Sequence, residues 1–278
     1  MFDALETFLA TEKPAILVEI AGAKGSTPRE KDAWMLVSKK AQIGTIGGGQ
    51  LEYLAIDHAR MLLAEKKHAL KLDIPLGPEI GQCCGGRVEI VFTPVDSAVA
   101  ENLTARLKAD DAENPHVYIF GAGHTGKALA AALAPLPLHT IAVETRAHEL
   151  NGLAAGVETI CVAMPEAMVA NIPPHSAVVI LTHDHALDFL IAAEALKRGD
   201  LAYVGMIGSA TKRATFAKWL QREGGKPSAL NRLTTPIGGK TKDKRPAVIA
   251  ALTTAEILVK LANGKSTKAT NSERKTKK

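Results

Sequence analysis

The chain has 278 residues, of which 46% are hydrophobic and 23% charged, and its formal net charge is +5. This balance is typical of one large or two ordinary globular domains, and it excludes a disordered chain, a collagen and a disulfide-rich miniprotein. The low aromatic content, 4%, disfavours a nucleic-acid platform that stacks bases. Three cysteines, an N-terminal segment that predicts an amphipathic helix, and the lack of a long uninterrupted apolar run together predict a cytoplasmic protein without a membrane partner.

Residues 1–96 are expected to form an N-terminal mixed α/β domain. Apolar residues at helical spacing predict a first helix over 2–12, and strands are predicted in PAILVEIAG, AWMLVS, ALKLDI and RVEIVFTPV. A long helix is expected after the glycines of GTIGGG. Residues 97–115 predict a surface helix that ends in a charged linker, which marks a domain boundary.

Residues 116–263 alternate predicted strands and helices. The strands are HVYIF, HTIAVET, VETICVAM, SAVVILTH and AYVGMIG, and the helices cover about 124–134, 165–171, 185–198, 210–223 and 246–262. Strands that are apolar throughout belong to a parallel sheet with helices on both faces. We therefore expect a C-terminal Rossmann-like domain with a doubly wound parallel sheet.

The positive net charge lies in the last segment, residues 264–278. This segment holds six cations and one anion, so the preceding residues sum to zero. It contains no large apolar side chain, and we expect it to be a disordered basic tail because it cannot bury enough surface to offset its ordering entropy.

The first chemical motif is a G-x-G-x-x-G sequence formed by Gly121, Gly123 and Gly126, with His124 inside it. It follows a predicted strand and opens a predicted helix, where the second glycine lets a phosphate approach the backbone and the helix N-terminus offers free N–H groups. Glu144 ends the next predicted strand, at the position of the acid that binds a ribose hydroxyl in dinucleotide enzymes. The pattern predicts a nucleotide or phosphate site; the alternative is that the glycines serve packing alone.

Two further motifs follow predicted strands of the same sheet. His183, Asp184 and His185 could hold a metal, although we favour the alternative that Asp184 caps the next helix and the imidazoles line a pocket. Gly208 and Ser209 precede a basic helix, which predicts either a second phosphate site or an ordinary N-cap beside solvated cations.

Glycine-rich segments also occur in the first half, and a close backbone approach to a ligand explains their entropic cost better than a simple turn does. The candidate ligand-binding residues there are Gly25, Ser26, Thr27, Arg29, Gly47, Gly48 and Gly49. A GQCCGG loop contains Cys83 and Cys84, whose spacing is not that of a zinc site; an accessible thiolate there would suit a soft metal or sulfur. Cys161, within a predicted strand, is expected to be a small buried apolar residue.

Together these motifs resemble the XdhC/CoxI family over about residues 1–262. The resemblance rests on STPREKDAWMLVS, GTIGGGQLE, GQCCGGRVEI, IFGAGHTGKAL, LTHDH, GMIGS and PIGG with DKRPAVIAALTTAEIL. It implies a chaperone that binds the molybdenum cofactor (molybdopterin, plain or in a dinucleotide form), holds it during sulfuration and inserts it into apo xanthine dehydrogenase. It also implies a cysteine desulfurase as a partner, a homodimer, and Cys84 or Cys83 as the contact to molybdenum or sulfur.

Two other functions are weighed against this one. An NAD(P)-dependent oxidoreductase would use Gly121, Gly123, Gly126 and Glu144, but the sequence offers no Tyr-Lys-Ser constellation and the GGG and CCGG loops would be unexplained. A pure scaffold would not explain the cost of so many glycine loops. We therefore expect an accessory protein with no catalytic residues.

Overall fold

The computed structural model describes residues 2–275 apart from 28, 30, 66–69 and 78–84. The chain divides into two units, Met1–Asp110 and Asp111–Lys278. The division falls inside the segment 97–115 that was predicted as a linker.

The first unit is a five-stranded antiparallel sheet with helices on both faces. Its strands have the order β3-β2-β1-β5-β4. The elements are α1 (Phe2–Thr11), β1 (Ala15–Lys24), β2 (Trp34–Ser38), β3 (Gln42–Gly44), α2 (Gly49–Glu65), β4 (Leu70–Pro75), β5 (Arg87–Pro94) and α3 (Ser97–Ala112).

Alternation along β1 explains the two layers of this unit, because successive strand residues point to opposite faces. Ile16 and Val18 lie in the core layer with α2, whereas Leu17 packs with α1 and α3. Helix α3 was predicted to be a surface linker, but its Leu103 and Leu107 are buried beside α1. It is therefore part of the core of the first unit.

The second unit is a six-stranded sheet in which every neighbouring pair is parallel. Its elements are β6 (His116–Phe120), α4 (His124–Leu133), β7 (His139–Glu144), β8 (Glu158–Cys161), α5 (Pro165–Met168), β9 (Ala177–Ile180), α6 (His185–Lys197), β10 (Tyr203–Met206), α7 (Ala210–Arg222), β11 (Leu233–Thr234) and α8 (Pro246–Lys275). The two-residue strand β11 was not predicted.

The strand order β11-β10-β9-β6-β7-β8 is that of the dinucleotide-binding Rossmann fold. The order reverses between β6 and β9, and ligands bind such sheets outside the carboxyl ends of the strands at that point. Val179 packs on one face with α4 and α8, and its neighbours Val178 and Ile180 pack on the other with α6 and α7. The predicted fold class, a mixed α/β domain followed by a doubly wound parallel sheet, is confirmed.

Helix α8 continues through Lys275, past its predicted end at 262 and into the segment 264–278. This backbone differs from the disordered tail predicted there; the segment contains no proline and has several good helix formers. Among the described residues, Pro246–Asn263 is the one helical stretch long and apolar enough to span a membrane by length and composition. Of this stretch 22% is buried, and the buried residues include Ile257 and Leu261 in the layer with α4.

Candidate functional site

The loops that follow β6, β9 and β10 meet at one side of the second unit, which we call the carboxyl edge. Three of the sequence motifs, those at Gly121, His183 and Gly208, come directly after these strands. Because the strands are parallel neighbours, the sheet brings the three motifs together. The first two motifs follow β6 and β9, the strands on either side of the topological switch point, and the third follows β10, the next strand.

Two of the three motif glycines are required by the packing of the protein itself. Gly121 has a φ of +114°, and a Cβ there would lie 2.4 Å from the Leu181 carbonyl oxygen. A Cβ on Gly126 would lie 2.1 Å from the carbonyl oxygen of Gly121. The packing interpretation of the motif is thus correct for these two positions.

Gly123 is different, because the fold does not demand a glycine there. Its φ is −68°, and a Cβ would meet no described atom within 4 Å. Gly123 is the N-cap of α4 and provides no side-chain hydrogen bond to the first turn. The first N–H groups of α4 therefore face an open space that suits an anion. His124, at the start of this helix, is exposed.

Glu144 lies at the carboxyl end of β7 and faces the glycine loop. The residue is only 3% exposed. Its carboxylate accepts the N–H of Ala122 at 3.0 Å, the N–H of Thr145 at 2.9 Å and hydrogen bonds from the Arg146 guanidinium at 3.3 Å. These donors occupy the carboxylate oxygens, so Glu144 holds the glycine loop in this structure rather than presenting a free acceptor for a ribose.

The environment of Glu144 stabilises its charged form. Burial alone raises the pKa of this carboxyl, but hydrogen bonds from Arg146 and from the backbone N–H groups of Ala122 and Thr145 lower it more, to about 2. The charge is therefore part of the folded structure at neutral pH.

The loop after β9 contains a helix cap and two exposed imidazoles. Asp184 is the N-cap of α6 and accepts the N–H of Ala186 at 2.7 Å, as the favoured interpretation predicted. His183 and His185 are both exposed. No group of three or more potential metal ligands occurs within the described part of the chain.

A buried ion pair connects this loop to the next one. Asp188 is fully buried, accepts the N–H of Thr182 at 3.0 Å and its hydroxyl at 2.7 Å, and pairs with the Lys212 ammonium. The stem of Lys212 lies over Gly208, where a Cβ would come within 2.7 Å of it. Lys212 is therefore not a solvated cation, which was one of the two interpretations of this motif, because it pairs with the buried Asp188.

Arg213, the other cation of this motif, is also bound by groups of the protein itself. Arg213 donates to the carbonyl oxygens of Leu233 at 2.8 Å and Leu230 at 3.0 Å. Ser209 is the N-cap of α7 and accepts the N–H of Lys212 at 3.2 Å. Ser209 is thus an ordinary N-cap. Lys212 and Arg213 bind other groups of the protein and are not solvated.

In the first unit, the two cysteine-flanking glycines meet the Gly25 turn. Ser26 forms a parallel bridge with Gly85, and a Cβ on Gly86 would lie 2.1 Å from the Ser26 carbonyl oxygen. Gly25 itself has a φ of +74°. Two glycine-rich segments that are far apart in the sequence are thus adjacent. Thr27 is half-buried and Arg29 is exposed.

The GGG segment is organised by an acid from its own helix. Gly47, Gly48 and Gly49 all have positive φ, which accounts for glycine at each position. Glu52 accepts the N–H of Gly48 at 2.7 Å and the hydroxyl of Thr45 at 2.7 Å. Turn geometry therefore explains these glycines without a ligand. Their entropic cost is then weaker evidence for a ligand site.

The cysteine predictions have different outcomes. Cys83 and Cys84 lie outside the described residues. Cys161 was predicted to be buried, but it is exposed. The reason is that β8 is an edge strand of the sheet, and most of its side chains face solvent.

Sequence reasoning assigned no role to the residues that fix the P-I-G-G turn after β11. Glu256 of α8 accepts the N–H of Gly238 at 3.1 Å and the hydroxyl of Tyr203 at 2.8 Å. Burial and the neighbouring Glu256 carboxylate raise the pKa of Tyr203, so its hydroxyl stays a donor. A glycine pair directly after a strand was the available signal, and it was used only for the family resemblance.

Comparisons with known proteins agree with this architecture. The family described as "XdhC Rossmann domain" matches residues 117–257, and the "XdhC and CoxI family" matches residues 8–73. The chain belongs to the XdhC and CoxI family.

Two individual proteins extend the comparison. The uncharacterized protein YqeB of Escherichia coli K12 is 27% identical over 257 residues, which cover 88% of this chain and 43% of YqeB. The chain thus spans less than half the length of that relative. A Bacillus halodurans protein named as a xanthine dehydrogenase has a solved structure with a TM-score of 0.76 at 20% identity, covering 94% of this chain and 95% of that one. This likeness is evidence for the fold.

The glycine loop of this XdhC-family protein predicts opposite outcomes for two similar substitutions. Gly126→Ala should destabilise the second unit, because its Cβ collides with backbone. Gly123→Ala should lower the free energy of unfolding by no more than about 1 kcal/mol, the ordinary cost of alanine at an N-cap, yet place a methyl group where an anion would approach. Denaturant unfolding of both variants tests this, and equal destabilisation would contradict the distinction.

The lowered pKa of Glu144 predicts that the free energy of unfolding falls in acid. A carboxyl with a lowered folded-state pKa contributes stability above its ordinary pKa of 4.5 and loses it as the pH falls through about 2. The Glu144→Gln side chain does not titrate. Between pH 4.5 and 2 the unfolding free energy of this variant should therefore fall less than that of the wild type, by up to about 3 kcal/mol. Chemical denaturation across this range measures the difference. Glu223→Gln, an exposed site, is the control and should follow the wild type.

Proposed function

We propose that this protein is a molybdenum-cofactor chaperone, which holds the cofactor during sulfuration and inserts it into apo xanthine dehydrogenase. Membership of the XdhC and CoxI family supports a role in maturing that enzyme. One structural observation carries the proposal for ligand binding. Gly123 leaves open space before the uncapped N-terminus of α4, at the switch point of the sheet.

The residues at the carboxyl edge fit the phosphate of a molybdopterin. The first-turn N–H groups of α4 would hold it, and the exposed imidazoles of His183 and His185 lie between the neighbouring strand β9 and the first turn of α6. When bound, the cofactor supplies the molybdenum atom that receives the sulfido ligand. The protein binds this cargo, orients it and releases it, and a plain and a dinucleotide form would use the same phosphate contact.

A thiol or thiolate of the protein would assist the sulfuration step. Cys84, or Cys83, is the proposed contact to molybdenum or sulfur, because both lie in a glycine loop where a thiol would be accessible. The glycines that follow them pack against Ser26, which supports a common role for this loop and the Gly25 turn.

Partner contacts remain proposals from the family. Apo xanthine dehydrogenase would accept the cofactor, a cysteine desulfurase would supply the sulfur, and a second copy would form a homodimer. Leu252, Leu258 and Val259 are exposed on α8, which supports an apolar interaction surface. A cytoplasmic location is part of the proposal, and the small, odd number of cysteines supports it.

The competing function is an NAD(P)-dependent oxidoreductase. The strand order and the glycine motif favour a dinucleotide as much as they favour a molybdopterin. The state of Glu144 argues against it. A ribose contact would require this carboxylate to release donors that it already holds, including the N–H of Ala122.

A purification experiment tests the chaperone function. The protein is isolated from host cells that can and cannot synthesise molybdopterin, and bound pterin and molybdenum are measured. We expect pterin with the wild type from competent cells only, and at least about tenfold less with Gly123→Ala. Pterin-free wild-type protein from competent cells would refute the function. NAD(P)-dependent hydride transfer would favour the competing one.

A pair of cysteine variants tests the thiol. Cys84→Ala should lower the molybdenum that co-purifies with the protein while leaving the folded structure intact, because a soft ligand is lost. Cys161→Ala removes the exposed thiol of β8 and should change nothing. Normal molybdenum content in Cys84→Ala, in Cys83→Ala and in the double variant would exclude a thiol contact.

A further inference from the structure

An open cavity of about 700 Å³ lies beside the ends of β10 and β11. Part of its lining is apolar, from Ile207, Pro236, Ile237 and Ile249. The remaining lining is polar and mostly comes from the segment 239–244, which continues the P-I-G-G turn. A cavity of this size with a mixed lining is typical of small-molecule sites.

The polar lining of this cavity carries unbalanced positive charge. Lys240, Lys242 and Lys244 are exposed, and no carboxylate of the described residues forms an ion pair with any of them. Asp243 is the one acid of the lining, and the Arg245 guanidinium binds it at 2.5 Å and lowers its pKa. Three ammonium groups are therefore left facing solvent and the cavity without a counter-charge.

The start of this segment is fixed while its lysines remain free. The Glu256 carboxylate binds the N–H of Gly238 at 3.1 Å, and a Tyr203 hydroxyl on the same carboxylate oxygen steadies it. Gly208 and Ser209 also line the cavity, at the motif for which the sequence predicted either a phosphate site or an ordinary N-cap. Their predicted cations, Lys212 and Arg213, are bound internally.

We propose that this cavity binds the diphosphate of a phosphorylated heterocyclic ligand, with the lysines on the phosphates and the apolar wall against the ring. Two or three ammonium groups match the charge of a diphosphate, and Ser209 adds a hydroxyl. The cavity is distinct from the Gly123 site, because its lining includes none of residues 121–126. The proposal goes beyond the proposed function, since it holds whether or not the ligand is a molybdopterin.

The test is titration calorimetry of the full chain with inorganic pyrophosphate and with adenosine diphosphate as probes. The variant Lys240→Gln/Lys242→Gln/Lys244→Gln should bind both probes at least about tenfold more weakly than the wild type. The control Lys39→Gln/Lys40→Gln/Lys218→Gln removes the same charge from exposed sites elsewhere and should keep wild-type affinity. Circular dichroism verifies that both variants fold.

Each outcome decides the proposal. No binding by the wild type, unchanged binding by the first variant, or an equal loss in the control would overturn the site. Equal affinity for the two probes would overturn the role of the apolar wall, which should favour the nucleotide. The pterin measurement described above is independent of these titrations, so the cavity and the chaperone function can fail separately.

Discussion

Hydrogen bonds from loop N–H groups to carboxylates of the same unit hold the carboxyl edge in place. The loops after β6, β9 and β11 each depend on one such acid. Glu144, Asp188 and Glu256 accept the N–H groups of Ala122, Thr182 and Gly238, respectively. A hydrogen bond to an ionised acceptor is about twice as strong as one between neutral groups, so these contacts fix loops that regular strand pairing leaves unsupported.

This use of the acids determines the chemistry that is left at the edge. Each carboxylate has a partner of its own: Arg146 for Glu144, Lys212 for Asp188 and the Tyr203 hydroxyl for Glu256. These three carboxylates therefore already have partners within the protein. Among the described residues, the first N–H groups of α4 and the ammonium groups of Lys240, Lys242 and Lys244 have no such partner. The edge therefore offers hydrogen-bond donors and ammonium groups, although the formal charge of residues 1–263 sums to zero.

The fold was accessible from the sequence because it follows from patterns along the chain. Apolar strands alternating with helices predicted the parallel sheet, and the G-x-G-x-x-G motif located its first loop. Side-chain partners across the sheet were not accessible. Lys212 and Arg213 look like solvated cations in the sequence, yet one meets Asp188 from another loop and the other meets backbone carbonyls. Cys161 was predicted to be buried because it lies in a strand, and the sequence does not show that this strand is at the edge of the sheet.

The glycines show how far a motif can be used to infer function. Packing alone requires glycine at Gly121 and Gly126, because a Cβ at either position collides with backbone. Only Gly123 has room for a side chain and an ordinary φ, so a requirement for glycine there would come from outside the protein. The middle glycine is therefore the position at which ligand binding and folding can be separated by a single methyl group.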